Sequence, residues 1–378
     1  MASTKPLKNC GVFYVCKPDP VPVAAKIFEV RDMDTPEELT DGMFLTKTLG
    51  VCVAPHTRAF LELPGNDVGA EAAGLQRTKV GELIPCECAM EVIASKSKKY
   101  AVGDRCVSFT NLQRYSTFRD DGKDRPDGMA PPKLMKSVAT EQGLSFTSGL
   151  TAHMVVNNHP CGRVEEPGLC NCFVGVLKTL FRRPQAQKTC LVTSAAGVVG
   201  MVAGQLYKLK GCKTIGVTST REKADRLKEF GFDASIAYKE EDLDARLGEI
   251  APEGIDVFFD NVGAKQLDIG TKHMKVGGKI VQVGCAAEID NYATGKITGW
   301  HEYHRMAARE LTVGGFLLSN HMSKIPMHAI SLLLLQLRGK LKSEETLVHG
   351  GLDKFNECVD RLHSGQCFGR LILMLEDP

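Results

Sequence analysis

Thr189-Cys190-Leu191-Val192-Thr193-Ser194-Ala195-Ala196-Gly197-Val198-Val199-Gly200, running on into Met201–Leu209, decides how this chain folds. Its first five residues are a short apolar run that predicts a buried strand, and Met201–Leu209 reads as a helix. Gly197 lets backbone approach a pyrophosphate with no Cβ in the way, and Gly200 lets the helix pack close on the strand. The N–H groups of the helix start would point at the phosphate oxygens. Ala195 stands where the common fingerprint has its first glycine, so the motif draws its weight from context. The plain alternative for both glycines is an ordinary strand–helix connection.

The context is a second unit, Cys212-Lys213-Thr214-Ile215-Gly216-Val217-Thr218-Ser219. It reads as the next strand and ends about twenty residues past the glycines, where the ribose-reading residue of a dinucleotide site belongs. A site for NAD would place Asp or Glu there. Here Thr218, Ser219 and Thr220 are followed by Arg221 and Lys223. Hydroxyls and cations suit a 2′-phosphate, which a carboxylate would repel. Glu222 lies between the two cations and is expected on the helix face. NADPH is therefore the expected cofactor, with a solvated helix charge as the alternative reading of Lys223.

Working outward, residues 1 to about 155 are strand-like and loop-rich, with turns at Lys17–Pro20 and Ala101–Asp104. From about 175 to 320 strand and helix alternate. Arg221–Phe230 is an amphipathic helix stopped by Gly231. Ala234–Tyr238, Ile255–Phe259, Lys279–Val283 and Leu311–Leu318 are the further strands. The alternation predicts an α/β fold, a doubly wound parallel sheet with helices on both faces. Helices at Ser323–Leu337 and Asp353–Leu362 and a closing strand, Leu371–Leu375, are too short a tail to form a domain and are expected to pack on the N-terminal part. Asn157–Cys172, rich in breakers, interrupts the approach to the first nucleotide-binding strand and reads as a surface insertion.

Length and composition agree. A chain of 378 residues can bury two full cores. A net charge of +2 and 43% hydrophobic residues indicate neither nucleic-acid binding nor disorder. Met1–Lys8 lacks the apolar core of a secretory signal, Ala329–Leu337 is too short to span a bilayer, and Leu375–Pro378 carries no peroxisomal address. A cytoplasmic protein with no membrane partner is expected. Its fourteen cysteines are expected to be free thiols. Cys86-x-Cys88 and Cys161…Cys170-x-Cys172 lack the paired spacings of a structural zinc site.

Beyond these features the chain resembles the medium-chain dehydrogenase/reductases, specifically the zinc-independent branch of leukotriene/prostaglandin reductases, alkenal double-bond reductases and quinone reductases. The residues that carry the resemblance are Gly149–Ala152, Ala195–Gly200, Tyr207–Lys213, Thr218–Lys223, Ala237–Lys239, Phe259-Asp260-Asn261-Val262-Gly263 and Gly315–Leu318. The resemblance implies a GroES-like, mainly β substrate domain at 1–155, completed by 323–378. It implies a Rossmann dinucleotide-binding domain at 156–322 with an insertion near 157–172, and a homodimer formed through the Rossmann domains. By position, Gly197, Val198, Val199 and Gly200 would hold the pyrophosphate, and Ser219, Lys223 and Tyr238 would surround the 2′-phosphate. Thr151, Asn261, Gly284 and Cys285 would face the cofactor, and Phe316, Leu317 and Leu318 would offer backbone groups to the nicotinamide amide. For Tyr238 a half-buried strand aromatic stays open, and for Asn261 a turn former.

Zinc divides such enzymes by chemistry, because a catalytic zinc polarises an alcohol oxygen. The Gly-His-Glu element that supplies a ligand in the alcohol dehydrogenases is absent, and its nearest look-alike, Gly69-Ala70-Glu71, has Ala in place of His. His301-Glu302-Tyr303-His304 reads as a solvated helix. No metal is expected. Reduction of a polarised C=C bond needs no Lewis acid, only alignment of the reactants and hydrogen bonds to the carbonyl oxygen as charge collects there. Where many relatives use a tyrosine for this, the chain has Ala308. Tyr292 and Tyr303 are the candidate phenols, His56 stands where relatives often carry a tyrosine, and Cys367 replaces an Asn near the C-terminus. The expected activity is NADPH-dependent reduction of α,β-unsaturated ketones or aldehydes. The alternatives are an NADPH:quinone oxidoreductase and a weakly active NADPH-binding protein.

Overall fold

In residues 43–50 and in Tyr115–Arg119 side chains alternate between a buried and a half-exposed face, the period of a strand packed on one side. The computed structural model describes residues 7–17, 27–34, 38–55, 57, 61–62, 77–123, 132–134, 140–159, 187–288 and 297–376. The strands are β1 (Asn9–Tyr14), β2 (Phe28–Met33), β3 (Met43–Val53), β4 (Pro85–Ser95), β5 (Arg105–Asn111), β6 (Tyr115–Arg119) and β7 (Lys133–Leu134). Helix α1 (Thr140–Asn158) follows. The sequence reading missed this helix, because Gly143 and Gly149 interrupt it and no apolar stripe runs along it. Asn157 and Asn158 close it, so the expected insertion begins later than 157, and residues 160–172 of it lie outside the described residues.

Of the strands from Thr189 onward, Thr189–Val192, Lys213–Thr218 and Ile255–Asp260 are almost wholly buried, as parallel strands covered on both faces must be, while Thr312–Gly315 at the edge is largely exposed. In order these strands are β8 (Thr189–Val192), β9 (Lys213–Thr218), β10 (Ala234–Ala237), β11 (Ile255–Asp260), β12 (Met274–Gln282) and β13 (Thr312–Gly315). The helices between and after them are α2 (Val198–Leu209), α3 (Arg221–Arg226), α4 (Leu243–Ile250), α5 (Ala264–Lys272), α6 (Arg305–Ala308) and α7 (Ile325–Leu337). The helix expected at Arg221–Phe230 tightens into a 3-10 turn from Leu227 and ends at Gly231, as read. The chain closes with β14 (Glu345–Gly350), α8 (Phe355–His363) and β15 (Arg370–Leu375).

Two sheets dominate. The first runs β14-β15-β3-β4-β5-β7, with β6 also paired to β3. The C-terminal strand β15 lies antiparallel to β3 with Leu373 opposite Val51, so the tail completes the N-terminal sheet. Its core includes Tyr14, Phe28, Phe44, Met90 and Phe355, and each such large side chain contributes about 1.5–3 kcal/mol on burial. Arg370 at the head of β15 faces Glu87 of β4 across 3.6 Å, both side chains nearly sealed from solvent. Removing either partner would strand a buried charge. The mainly β, GroES-like fold of this part agrees with the sequence reading.

The second sheet runs β10-β9-β8-β11-β12-β13, every pair parallel. This is the Rossmann order, with a topological switch between β8 and β11. The chain divides into a unit of Met1–Ser148, Ala286–Thr298 and Ser343–Pro378 and a unit of Gly149–Cys285 and Gly299–Lys342. The ranges expected from sequence differ from these in three segments: Gly149–Val155 and Ser323–Lys342, which includes α7, fall in the unit of the parallel sheet, and Ala286–Thr298 falls in the other. The reason for α7 is contact. Leu332 lies where a Cβ on Gly149 would meet it at 2.9 Å, and the buried His328 sets its Nδ1 at 2.8 Å from Nδ1 of His153 on α1. Among the described residues no helix is long and apolar enough to cross a membrane.

Candidate active site

The strand–turn–helix at β8–α2 has the geometry its sequence requires. Gly197 is the N-cap of α2, with φ −83° and ψ 155°, and no side chain caps the helix start. Its first N–H groups thus remain available to an anion. A Cβ on Gly200 would stand 2.5 Å from the Ser194 carbonyl oxygen and 2.9 Å from Cα of Ala195, both backbone, so only glycine permits this helix–turn contact. Ala195, buried, donates its N–H to Val217 O at 2.9 Å and binds the turn to β9. Ser194 takes φ 50°, a left-handed conformation that costs a residue with a Cβ on the order of 1 kcal/mol. Val198 is buried and Val199 half-buried at the helix start.

Where β9 and β10 end side by side, Ala237 pairs with Thr218, and Tyr238 donates its N–H to Thr218 O at 2.9 Å. Ser219, the first turn of α3 with Lys223, and Tyr238 are therefore brought to one ledge. Thr220 caps α3 by accepting from Lys223 N. Tyr238 is 39% exposed, and partial burial pushes its phenol above the ordinary value. Arg221 is held differently from the sequence reading. Its guanidinium pairs with Glu241 at 3.2 Å, Glu241 also meets Arg246 at 3.1 Å, and the Arg221 N–H donates to Glu240 Oε1 at 3.0 Å.

At the switch point the carboxyl ends of four strands stand in a row. Val192 neighbours Phe259, Asp260 neighbours Gln282, and Gln282 neighbours Gly315. Asn261 donates its amide Nδ2–H to Thr193 O at 2.7 Å. Gly284 follows β12, where a Cβ would stand 2.8 Å from Asn261 O. Cys285 next to it is half-buried. Phe316 donates its N–H to Gln282 O at 3.0 Å and stacks its ring on His321 at 4.8 Å. Leu317 is exposed, and a 3-10 segment begins at Leu318. Thr151 sits half-buried on α1.

Of the candidate phenols, Tyr303 occupies the short 3-10 turn His301–His304 and is 63% exposed, its ring edge-on to His304. His301 is paired with Asp268 at 2.9 Å, and His304 lies 3.9 Å from Glu302, as suits a solvated surface turn. Tyr292, His56 and Gly69–Glu71 lie outside the described residues. Two residues were passed over in the sequence. Thr193 and Asp260 are buried at the switch point, and the available signal was a carboxylate ending the apolar strand Ile255–Phe259.

A six-stranded parallel sheet of this order, with an uncapped glycine turn at its first crossover, is a Rossmann fold. Residues 198–333 match the family described as zinc-binding dehydrogenase. The chain is 34% identical to the NADP(+)-dependent 2-alkenal reductase of Nicotiana tabacum over 195 residues, 51% of this chain and 55% of that enzyme. It is 26% identical to prostaglandin reductase 1 of Oryctolagus cuniculus over 325 residues, 85% and 81% of the two chains. It shares the fold of CurA from Vibrio vulnificus, solved in complex with NADPH, at TM-score 0.79, 22% identity and 98% and 100% coverage. The chain is thus similar to an NADP(+)-dependent alkenal reductase and to a prostaglandin reductase, and its 198–333 segment to the zinc-binding dehydrogenases.

Proposed function

We propose that this oxidoreductase uses NADPH to reduce the activated C=C bond of α,β-unsaturated ketones or aldehydes, without zinc. What supports the reading most is the ledge of Ser219, Lys223 and Tyr238, where a ribose-binding carboxylate would stand in an NAD enzyme. The name of the tobacco relative, an NADP(+)-dependent 2-alkenal reductase, points to the same substrate class. The uncapped start of α2 and the glycine contacts fit a bound pyrophosphate, so the residues present suit the cofactor. NADPH, when bound, supplies the hydride. The backbone at Gly197, Val198, Val199 and Gly200 holds the pyrophosphate, while Ser219, Lys223 and Tyr238 receive the 2′-phosphate. Thr151, Asn261, Gly284, Cys285 and the backbone of Phe316, Leu317 and Leu318 orient the nicotinamide. Tyr303 and Tyr292 are the phenols assigned to hydrogen-bond the substrate oxygen, with Tyr303→Phe and Tyr292→Phe as the test.

Zinc independence rests on the missing Gly-His-Glu element and on the surface ion pairs of His301 and His304. A homodimer is proposed through the Rossmann unit. Edge strand β13 exposes Val313, and α7 exposes Met327, Ile330 and Leu337; light scattering of the purified protein checks it. The protein is assigned to the cytoplasm.

Measuring NADPH oxidation with a medium-chain enone and with a benzoquinone tests the activity, before and after treatment with a chelator. Turnover of the enone that survives chelation is expected. A quinone reductase is the second reading, favoured by 33% identity to a probable quinone oxidoreductase of Leishmania amazonensis over 194 residues, and faster turnover of the benzoquinone would select it. NADPH binding with no turnover of either would leave a weakly active binding protein.

A further inference from the structure

Among the described residues, the most deeply buried carboxylate of the Rossmann unit lies beneath the row of strand ends. Asp260 has no exposed surface. Its Oδ1 accepts from the Thr193 hydroxyl at 2.7 Å and from Val262 N at 3.1 Å, and its Oδ2 accepts from Gly263 N at 2.9 Å. Because the Thr193 hydroxyl gives its proton to Asp260, its oxygen is left to accept from Asn261 N at 2.9 Å. The Asp260 carbonyl in turn accepts from Val283 N at 2.8 Å and Gly284 N at 3.3 Å. One residue thus ties together the ends of β8, β11 and β12. Each of these ends leads straight into a turn expected to face the cofactor: Ser194–Gly200, Asn261–Gly263 and Gly284–Cys285.

We propose that Asp260, acting through Thr193, is a positioning residue that sets the register of these three turns for the part of the cofactor that NADPH and NADH share. The proposal rests on the NADPH reading above. The hydrogen-bond polarity makes the site exacting. Every protein group aimed at the carboxylate is a donor, so the isosteric amide of Asn would turn its NH₂ against an N–H or against the Thr193 hydroxyl. Valine at 193 would leave both Asp260 Oδ1 and Asn261 N short of a partner, whereas serine keeps the bridging oxygen. The ledge that receives the 2′-phosphate is on β9 and β10 and is not part of this network. Its contribution should therefore be untouched.

The test is titration of NADPH and NADH into the wild type, Thr193→Val, Thr193→Ser and Asp260→Asn, with steady-state kinetics and apo-protein melting beside it. Thr193→Val and Asp260→Asn are expected to raise Kd for both nucleotides at least about tenfold, by a common factor that leaves the NADPH/NADH ratio unchanged. Thr193→Ser is expected to stay within about threefold of wild type. KM for NADPH should rise with little change in kcat. A role confined to stability would lower the melting temperature of Thr193→Val while leaving the Kd of the folded protein alone, and that result overturns the proposal. So does a Thr193→Ser variant no better than Thr193→Val, or a shifted NADPH/NADH ratio. If Asp260→Asn does not fold, the two Thr193 variants decide. Wild-type protein that binds neither nucleotide overturns the cofactor reading together with the positioning role; wild-type binding with an unaffected Thr193→Val overturns the positioning role alone.

Discussion

The turn at Ser194–Gly200 and the ledge at Thr218–Lys223 with Tyr238 sit on neighbouring strands, yet they are made of different material. The turn is buried backbone: Ala195 is sealed, Gly200 touches the Ser194 carbonyl, and α2 starts with no side-chain cap. The ledge is side chains at the surface, a hydroxyl, an ammonium and a partly exposed phenol. Backbone in contact with backbone has no tolerance, because any added atom must displace a helix. Surface side chains can be exchanged with little cost to the fold. On the proposed NADPH reading, binding of a dinucleotide and choice between its two forms would be separable.

The comparison can be broken first at its rigid end. Gly200→Ala forces a Cβ into backbone and is expected to cost about 1–3 kcal/mol through overpacking. Both nucleotides should bind at least tenfold more weakly by fluorescence titration, with a lower melting temperature. A variant that binds NADPH normally would remove the close-contact role of Gly200.

A second buried feature of the same unit gives a test by pH. Burial, the facing His328 and the charge of Lys210 push His153 down to about 4, while burial and Lys324 push His328 in the same direction. Folded-state values below the ordinary 6.5 mean that the neutral pair's stabilisation is complete above about pH 6.5. It is lost as pH falls towards 4, up to about 3 kcal/mol for His153. Melting curves from pH 7 to 4.5 should fall steeply in the wild type and more shallowly in His153→Gln. The 2′-phosphate of NADPH gains a proton near pH 6, so the NADPH/NADH preference should weaken over the same range independently of His153.

At the exposed end, Lys223→Ala combined with Ser219→Asp is expected to cut the NADPH/NADH preference by about two orders of magnitude, since charge-assisted hydrogen bonds contribute about 1.5–3 kcal/mol each. NADH affinity should change far less, and equal losses for both nucleotides would merge the two regions into one. Salt sharpens the same distinction. Raising ionic strength from about 0.05 to 0.5 M shortens the Debye length below about 10 Å and should weaken NADPH more than NADH. The smallest effect is expected from Tyr238→Phe, about two- to threefold on NADPH alone, read from KM.

Much of this was legible in the chain because local rules decide it. Apolar runs bounded by breakers gave the strands β8 to β12 to within a few residues. The glycine pair at 197 and 200 marked the turn, and Ser219 with Lys223, where an NAD site would have Asp or Glu, motivates the proposed ledge. What escaped lacked a local signature. Helix α1 has glycines and no apolar stripe. Asp260 looked like one more residue of a turn motif, although it is the hub of three strand ends. Arg221 reads from sequence as a cation open to a phosphate, whereas Glu241, 20 residues on, pairs with its guanidinium.

By itself the sequence determined the alternation of strand and helix, the doubly wound parallel sheet and the glycine turn, which follow from periodicity and glycine geometry, both properties of short segments. The GroES-like fold and the residues proposed to meet the cofactor were implied by the resemblance to known reductases. Tertiary structure alone decided that α7 packs on α1 through Leu332 and His328, and that Thr193 and Asp260 meet at the switch point. Such contacts join residues tens to hundreds of positions apart. They form only where two surfaces exclude water together, and no short stretch of chain records that event.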